Sequence, residues 1–81
     1  MKVKVLLFAA HRELVGRGDT VVALPDGATV EALLSELKAR GGGWARLPAR
    51  AAVAVNHKYA AGDTTLEDGD EVALIPPVAG G

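Results

Sequence analysis

The segment Thr29 to Arg40 limits the fold more than any other part of the chain. Val30, Leu33, Leu34 and Leu37 fall at i, i+3, i+4 and i+7, one apolar stripe along a helix. Thr29 suits the N-cap, where its hydroxyl can accept an orphan backbone N–H, and Glu31 complements the positive helix end. Lys38 and Arg40 sit near the negative end, and Gly41-Gly42-Gly43 stops the helix. This is one long amphipathic helix in a chain of 81 residues, enough for one domain and too short for two. Its stripe must be buried against something, and the remaining apolar segments all read as short strands. The expectation is one main helix covering one face of one mixed sheet.

The strands follow from period-two alternation. Lys2 and Lys4 alternate with Val3, Val5 and Leu7, and Leu6 and Phe8 extend apolar character to the second face, the mark of a strand covered on both sides. Ala9 to Val15 makes a short helical turn closed by Gly16. Asp19 to Leu24 is a second strand, ended by Pro25-Asp26-Gly27 and antiparallel to the first. After a loop around Trp44 to Pro48, Ala51 to Val55 is a strand, Asn56-His57 a hairpin turn and Lys58-Tyr59-Ala60 a brief return. Leu66 to Asp70 is a turn before the last strand, Glu71 to Ile75. The order is strand, strand, helix, strand, short strand, strand. It describes an α+β, ubiquitin-like β-grasp domain over residues 1–75, although order alone also allows a ferredoxin-like variant missing one helix.

Composition narrows the function. Hydrophobic residues make up 49% and aromatics only 4%, so Val, Leu and Ala must build the core. Nine basic and ten acidic residues give a net charge of −1 with no dense basic stripe, which disfavours a nucleic-acid partner. The absence of cysteine excludes disulfides, thiolate zinc sites and a Cys nucleophile or persulfide on this chain. Val5 to Ala10 is far shorter than the roughly 20 apolar residues of a membrane span. A soluble, cytoplasmic protein without a membrane partner is expected.

The chemistry concentrates in residues 76–81, Pro76-Pro77-Val78-Ala79-Gly80-Gly81. Pro76 and Pro77 cannot donate ladder bonds, so the sheet ends near Ile75 and the chain leaves extended and stiff. Six such residues reach at most about 20 Å. Gly80 and Gly81 have no side chains and can thread a narrow channel close to a bound nucleotide. The terminal carboxylate, with a pKa of about 3.3–3.7, is ionised at neutral pH and a poor electrophile. Activation as an acyl-adenylate with ATP would let a sulfur nucleophile displace AMP and leave a thiocarboxylate on Gly81. A frayed terminus is the plain alternative reading of the same residues.

Other candidates carry less. His11 and His57 are far apart in sequence without a ligand pattern; both read as surface or turn histidines, and no metal site is expected. Asp63, Glu67, Asp68, Asp70 and Glu71 read as solvated turn residues, with an acidic docking rim as the alternative. Gly41 to Gly43 lacks the Lys-Ser/Thr of a phosphate loop, and Ser35, the one serine, has no neighbouring histidine. Trp44 reads as a loop anchor on the core. Phe8, Leu74 and Ile75 are candidates for an apolar partner contact at the root of the tail, with core packing as the alternative for each.

The residues also resemble a known family, the small subunits of molybdopterin synthase. Val5-Leu6-Leu7-Phe8-Ala9 followed by Arg12-Glu13-Leu14-Val15-Gly16 resembles its opening, Thr29 to Leu33 its helix start and Ala54-Val55-Asn56 its third strand and turn. The strongest stretch is Leu66-x-Asp68-Gly69-Asp70-Glu71-Val72-Ala73 followed by Pro76-Pro77-Val78-x-Gly80-Gly81. Leu74-Ile75 stands where some relatives carry an aromatic pair. The resemblance implies a sulfur-donating subunit whose partner holds the catalytic residues. Gly81 would be adenylated by an E1-like adenylyltransferase that uses ATP, then thiocarboxylated with sulfur from a donor protein. Residues 76–81, including Pro76, Pro77 and Val78, would enter the large catalytic subunit of an elongated heterotetramer and deliver sulfur to cyclic pyranopterin monophosphate. No cofactor bound by this chain is implied. Related carriers serve thiamine, cysteine and tRNA thiolation pathways; a protein modifier and a passive binding module are the remaining alternatives.

Overall fold

The structure, a computed structural model, describes residues 1–48 and 51–76. Five strands form one mixed sheet: β1 (Lys2–Leu7), β2 (Asp19–Ala23), β3 (Ala52–Val55), β4 (Lys58–Tyr59) and β5 (Glu71–Ile75), in the order β2-β1-β5-β3-β4. The two central strands run parallel, pairing Lys4 with Glu71 through Leu7 with Leu74. The other pairs are antiparallel. A parallel pair needs a long crossover, and α2 (Val30–Ala39) lies within the one that joins β1 and β2 to the later strands. This is the ubiquitin-like β-grasp arrangement.

Helix α2 forms where the stripe and its caps place it. The Thr29 hydroxyl accepts the Ala32 N–H at 3.2 Å, and Arg40 ends the helix. Gly41 then adopts φ 76°, ψ −168°, a conformation nearly restricted to glycine. Val30, Leu33 and Leu37 are buried against Val3, Val5 and Leu7 of β1, Val22 of β2, Val53 of β3 and Val72 and Leu74 of β5, with Leu66 and Leu47 closing the margins. Fully burying each such aliphatic side chain contributes about 1.5–3 kcal/mol, which explains how a domain so poor in aromatic residues holds together.

Two segments differ from what sequence alone suggests, and Trp44 anchors its loop on the core as expected. The loop after α2 contains a 3-10 helix, Gly42–Arg46. It packs on the end of α1 (Ala9–Val15) so closely that a Cβ on Gly43 would run into the Leu14 carbonyl oxygen. Gly43 is therefore a close-approach position as well as part of a helix stop. Trp44 is half-buried against the core, with the Arg40 guanidinium 5.1 Å from its ring centroid. Finally, β1 is covered on one face only. Phe8 lies beyond the strand as the N-cap of α1 and is 47% exposed, because α2 covers one face of the sheet and leaves the other open. Among the described residues no helix is long and apolar enough to cross a membrane.

Candidate functional site

The site is the open face of the sheet at the end where β5 delivers the chain to its C-terminal segment. Alternation along β5 decides which residues reach it. Val72 and Leu74 point under α2, whereas Glu71, Ala73 and Ile75 point to the open face. Cross-strand partners share a face, so Ala54 opposite Ala73 and Tyr59 opposite Ala54 join them. With Phe8 and His57 these residues line a shallow cavity of about 290 Å³. Tyr59 is 79% exposed and Ile75 half-buried. An exposed aromatic pair around an Ala floor is an apolar surface of the kind that another protein covers.

The sequence-expected contacts separate accordingly. Phe8 and Ile75 lie on this face. Leu74 does not: it is 1% exposed and belongs to the core, because its place in the strand puts it one residue out of phase with Ala73 and Ile75. Its expected contact role is corrected to packing. Pro76 is half-buried at the root of the tail. The expectations for Pro77, Val78, Gly80 and Gly81 lie outside the described residues. Tyr59 is a surface residue that sequence reasoning left as part of a brief strand; nothing in its pattern signals exposure.

The turns beside the site are tied down by their own side chains. Asn56 and His57 take φ of 50° and 72°, the signature of a tight hairpin turn. The Asn56 Nδ2 donates to Asp70 Oδ1 at 2.8 Å, and Asn56 Oδ1 accepts the Glu71 N–H at 3.0 Å. Asp70 Oδ2 accepts the Glu67 N–H and Asp68 Oδ1 the Lys2 N–H, both at 2.8 Å. Two members of the acidic cluster are thus acceptors for backbone donors at the end of the sheet. His57 is 88% exposed, 3.9 Å from the Glu71 carboxylate. His11 departs from expectation. It is buried at 2% exposure on the α2 side of the sheet, where it lines a cavity with Leu37, Leu47 and Leu74, and its Nδ1 lies 3.3 Å from the Leu74 carbonyl oxygen. Among the described residues no cluster of three or more His, Cys, Asp or Glu is placed to hold a metal ion.

Fold and site together define a class, a ubiquitin-like β-grasp domain offering an open apolar patch beside the strand from which its C-terminus departs. The chain belongs to the ThiS family, which matches residues 5–81. It is 47% identical over 81 residues to the molybdopterin synthase sulfur carrier subunit of Escherichia coli (strain K12), covering 98% of this chain and 99% of that one. The crystal structure of SAMP1 from Haloferax volcanii superposes with a TM-score of 0.79 at 31% identity, covering all of both chains. A protein–protein complex of subunits 1 and 2 of the molybdopterin-converting factor from Helicobacter pylori contains a chain matched at TM-score 0.74 and 26% identity, again over all of both chains.

Proposed function

We propose that this chain is the sulfur carrier subunit of a molybdopterin synthase and that the carboxylate of Gly81 is its reactive group. The observation that carries the reading is the match to carriers of that name, which for those of Arabidopsis thaliana and Chlamydomonas reinhardtii covers all of this chain and so includes Gly80-Gly81. The chemistry follows from the group available. A carboxylate is unreactive toward sulfur nucleophiles, so an E1-like adenylyltransferase must first join it to the α-phosphorus of ATP, with pyrophosphate leaving. The outer sulfur of a donor persulfide then bonds to the acyl carbon as AMP departs, and a thiol cleaves the remaining S–S bond, forming a disulfide with the donor and releasing the thiocarboxylate. In the large catalytic subunit the thiocarboxylate passes its sulfur to cyclic pyranopterin monophosphate, and water returns the acyl carbon to carboxylate. The carrier contributes aim and cargo; ATP and the catalytic residues belong to its partners.

The open patch fits the docking step. Phe8, Tyr59 and Ile75 surround the root of residues 76–81, so covering that patch would lead Pro76, Pro77 and Val78 toward a partner's channel. The Helicobacter pylori complex supports a large-subunit partner. The deciding experiment is reconstitution with the activating enzyme, ATP, a sulfur source, the large subunit and precursor. Deleting Gly81 or adding one residue after it is expected to abolish sulfur transfer with melting temperature unchanged; retained transfer overturns the reading. The likeness to SAMP1, whose homologous crystal structure is described as small archaeal modifier protein 1, favours a second use, conjugation of Gly81 to lysines. Adducts that survive thiol reductant would establish it.

A further inference from the structure

We propose that His11 is a positioning residue, whose Nδ1–H holds the Leu74 carbonyl and so fixes the direction in which the C-terminal segment leaves the sheet. The functional half of this inference rests on the carrier reading above; the structural half stands on the geometry alone. His11 is the buried residue of α1, and its Nδ1 lies 3.3 Å from the Leu74 oxygen. A carbonyl oxygen only accepts, so the proton of this bond sits on Nδ1. In the neutral ring the lone pair is then on Nε2, which is buried without a hydrogen-bond partner among the described residues. A leucine of similar size would fill the place without that desolvation cost. What it would not supply is a donor for the Leu74 carbonyl.

The place of that carbonyl gives the donor its use. The β1–β5 ladder ends at Leu7 opposite Leu74, where the chain turns through Phe8 into α1 with Ala9 at φ 45°. On the other side, β3 reaches only to Ala52 opposite Ile75. Pro76 and Pro77 then bring no N–H at all. On the β1 side, where the backbone ladder runs out, His11 therefore supplies a side-chain donor that helps fix the peptide plane between Leu74 and Ile75, whose other side is paired with β3 at Ala52. Leverage makes the angle matter. A tilt of about 20° at the root moves the end of a fully extended six-residue segment by about 7 Å, whereas reacting atoms must meet within about 3–3.5 Å.

The full ¹⁵N-labelled chain tests the tether directly. Two-bond ¹H–¹⁵N spectra should identify Nδ1 as the protonated, pyrrole-type nitrogen of His11; the opposite tautomer overturns the proposal. Three variants extend the test: H11L removes the donor at similar volume, H11Q places its amide near the Nε2 position, and H11N places an N–H near the Nδ1 position. H11L and H11Q should lower the order parameter of the Ile75 amide and raise the KM for the activating enzyme about fivefold, the population shift expected from one ordinary hydrogen bond. Neither should change kcat, and H11L should melt no lower than the native chain. H11N should restore both the order parameter and KM. Unchanged values in H11L and H11Q, or no recovery in H11N, overturn the proposal. If the native chain accepts no sulfur from the complete system, the carrier reading fails separately. The tautomer and the Ile75 amide then decide the tether by themselves.

Discussion

Replacing Phe8 by alanine tests whether the open face of the sheet is a docking surface. Phe8 is 47% exposed, on the face that α2 leaves open. Taking about 200 Å² for a phenylalanine side chain, roughly 90 Å² remains for a partner to cover, worth about 2 kcal/mol at ~25 cal/mol per Å². The expected result is a rise in Kd for the large subunit of about thirtyfold, since ~1.4 kcal/mol is a factor of ten. Stability should fall as well, by about 2–3 kcal/mol, because the fold itself covers roughly 110 Å² of the ring. Isothermal titration calorimetry reads the first quantity and thermal unfolding the second. The adjacent control is Leu74→Ala, which should lose about 2–5 kcal/mol of stability because the side chain is 1% exposed under α2. A Phe8→Ala protein that is folded at the assay temperature and binds within threefold of the native Kd would refute the assignment of this face to docking.

Three further outcomes test the fold that supports the site. Gly43→Ala should cost about 1–3 kcal/mol by denaturant unfolding, since the new methyl meets the Leu14 carbonyl and α1 must separate from the 3-10 helix. Thr29→Ala should cost about 1 kcal/mol through loss of the cap on the Ala32 N–H, and Thr29→Ser should recover most of it. Leu33→Ala, at a position with 0% exposure, should remove about 2–5 kcal/mol and lower the melting temperature by at least about 8 °C, at roughly 4–8 °C per kcal/mol for a domain of this size.

Periodic features were the legible ones. The stripe of α2, its Thr29 cap, the alternation of β1 and the Asn56-His57 turn each express a local rule, and each appears where the rule puts it. Which face of β5 meets solvent was harder to read. Leu74 and Ile75 are equally apolar, and only the phase set by pairing with β1 and β3 sends one inward and the other out. His11 misled for a related reason. Nothing local distinguishes a surface imidazole from a buried one, since its partner Leu74 is brought close only by the parallel pairing of the first and last strands. Gly43 looks like any glycine after a helix until the carbonyl of Leu14 is placed beside it. The reading of Gly80-Gly81 rests on the order of residues alone, and both lie outside the described residues.

The central claim concerns one carboxylate. Intact-mass spectrometry of the carrier after incubation with ATP, the activating enzyme and a sulfur source reads its fate directly. The account predicts a gain equal to replacement of one oxygen by sulfur, localised by fragmentation to Gly81 and absent when one residue is appended after it. An unmodified Gly81, or the same gain on the extended chain, would contradict it.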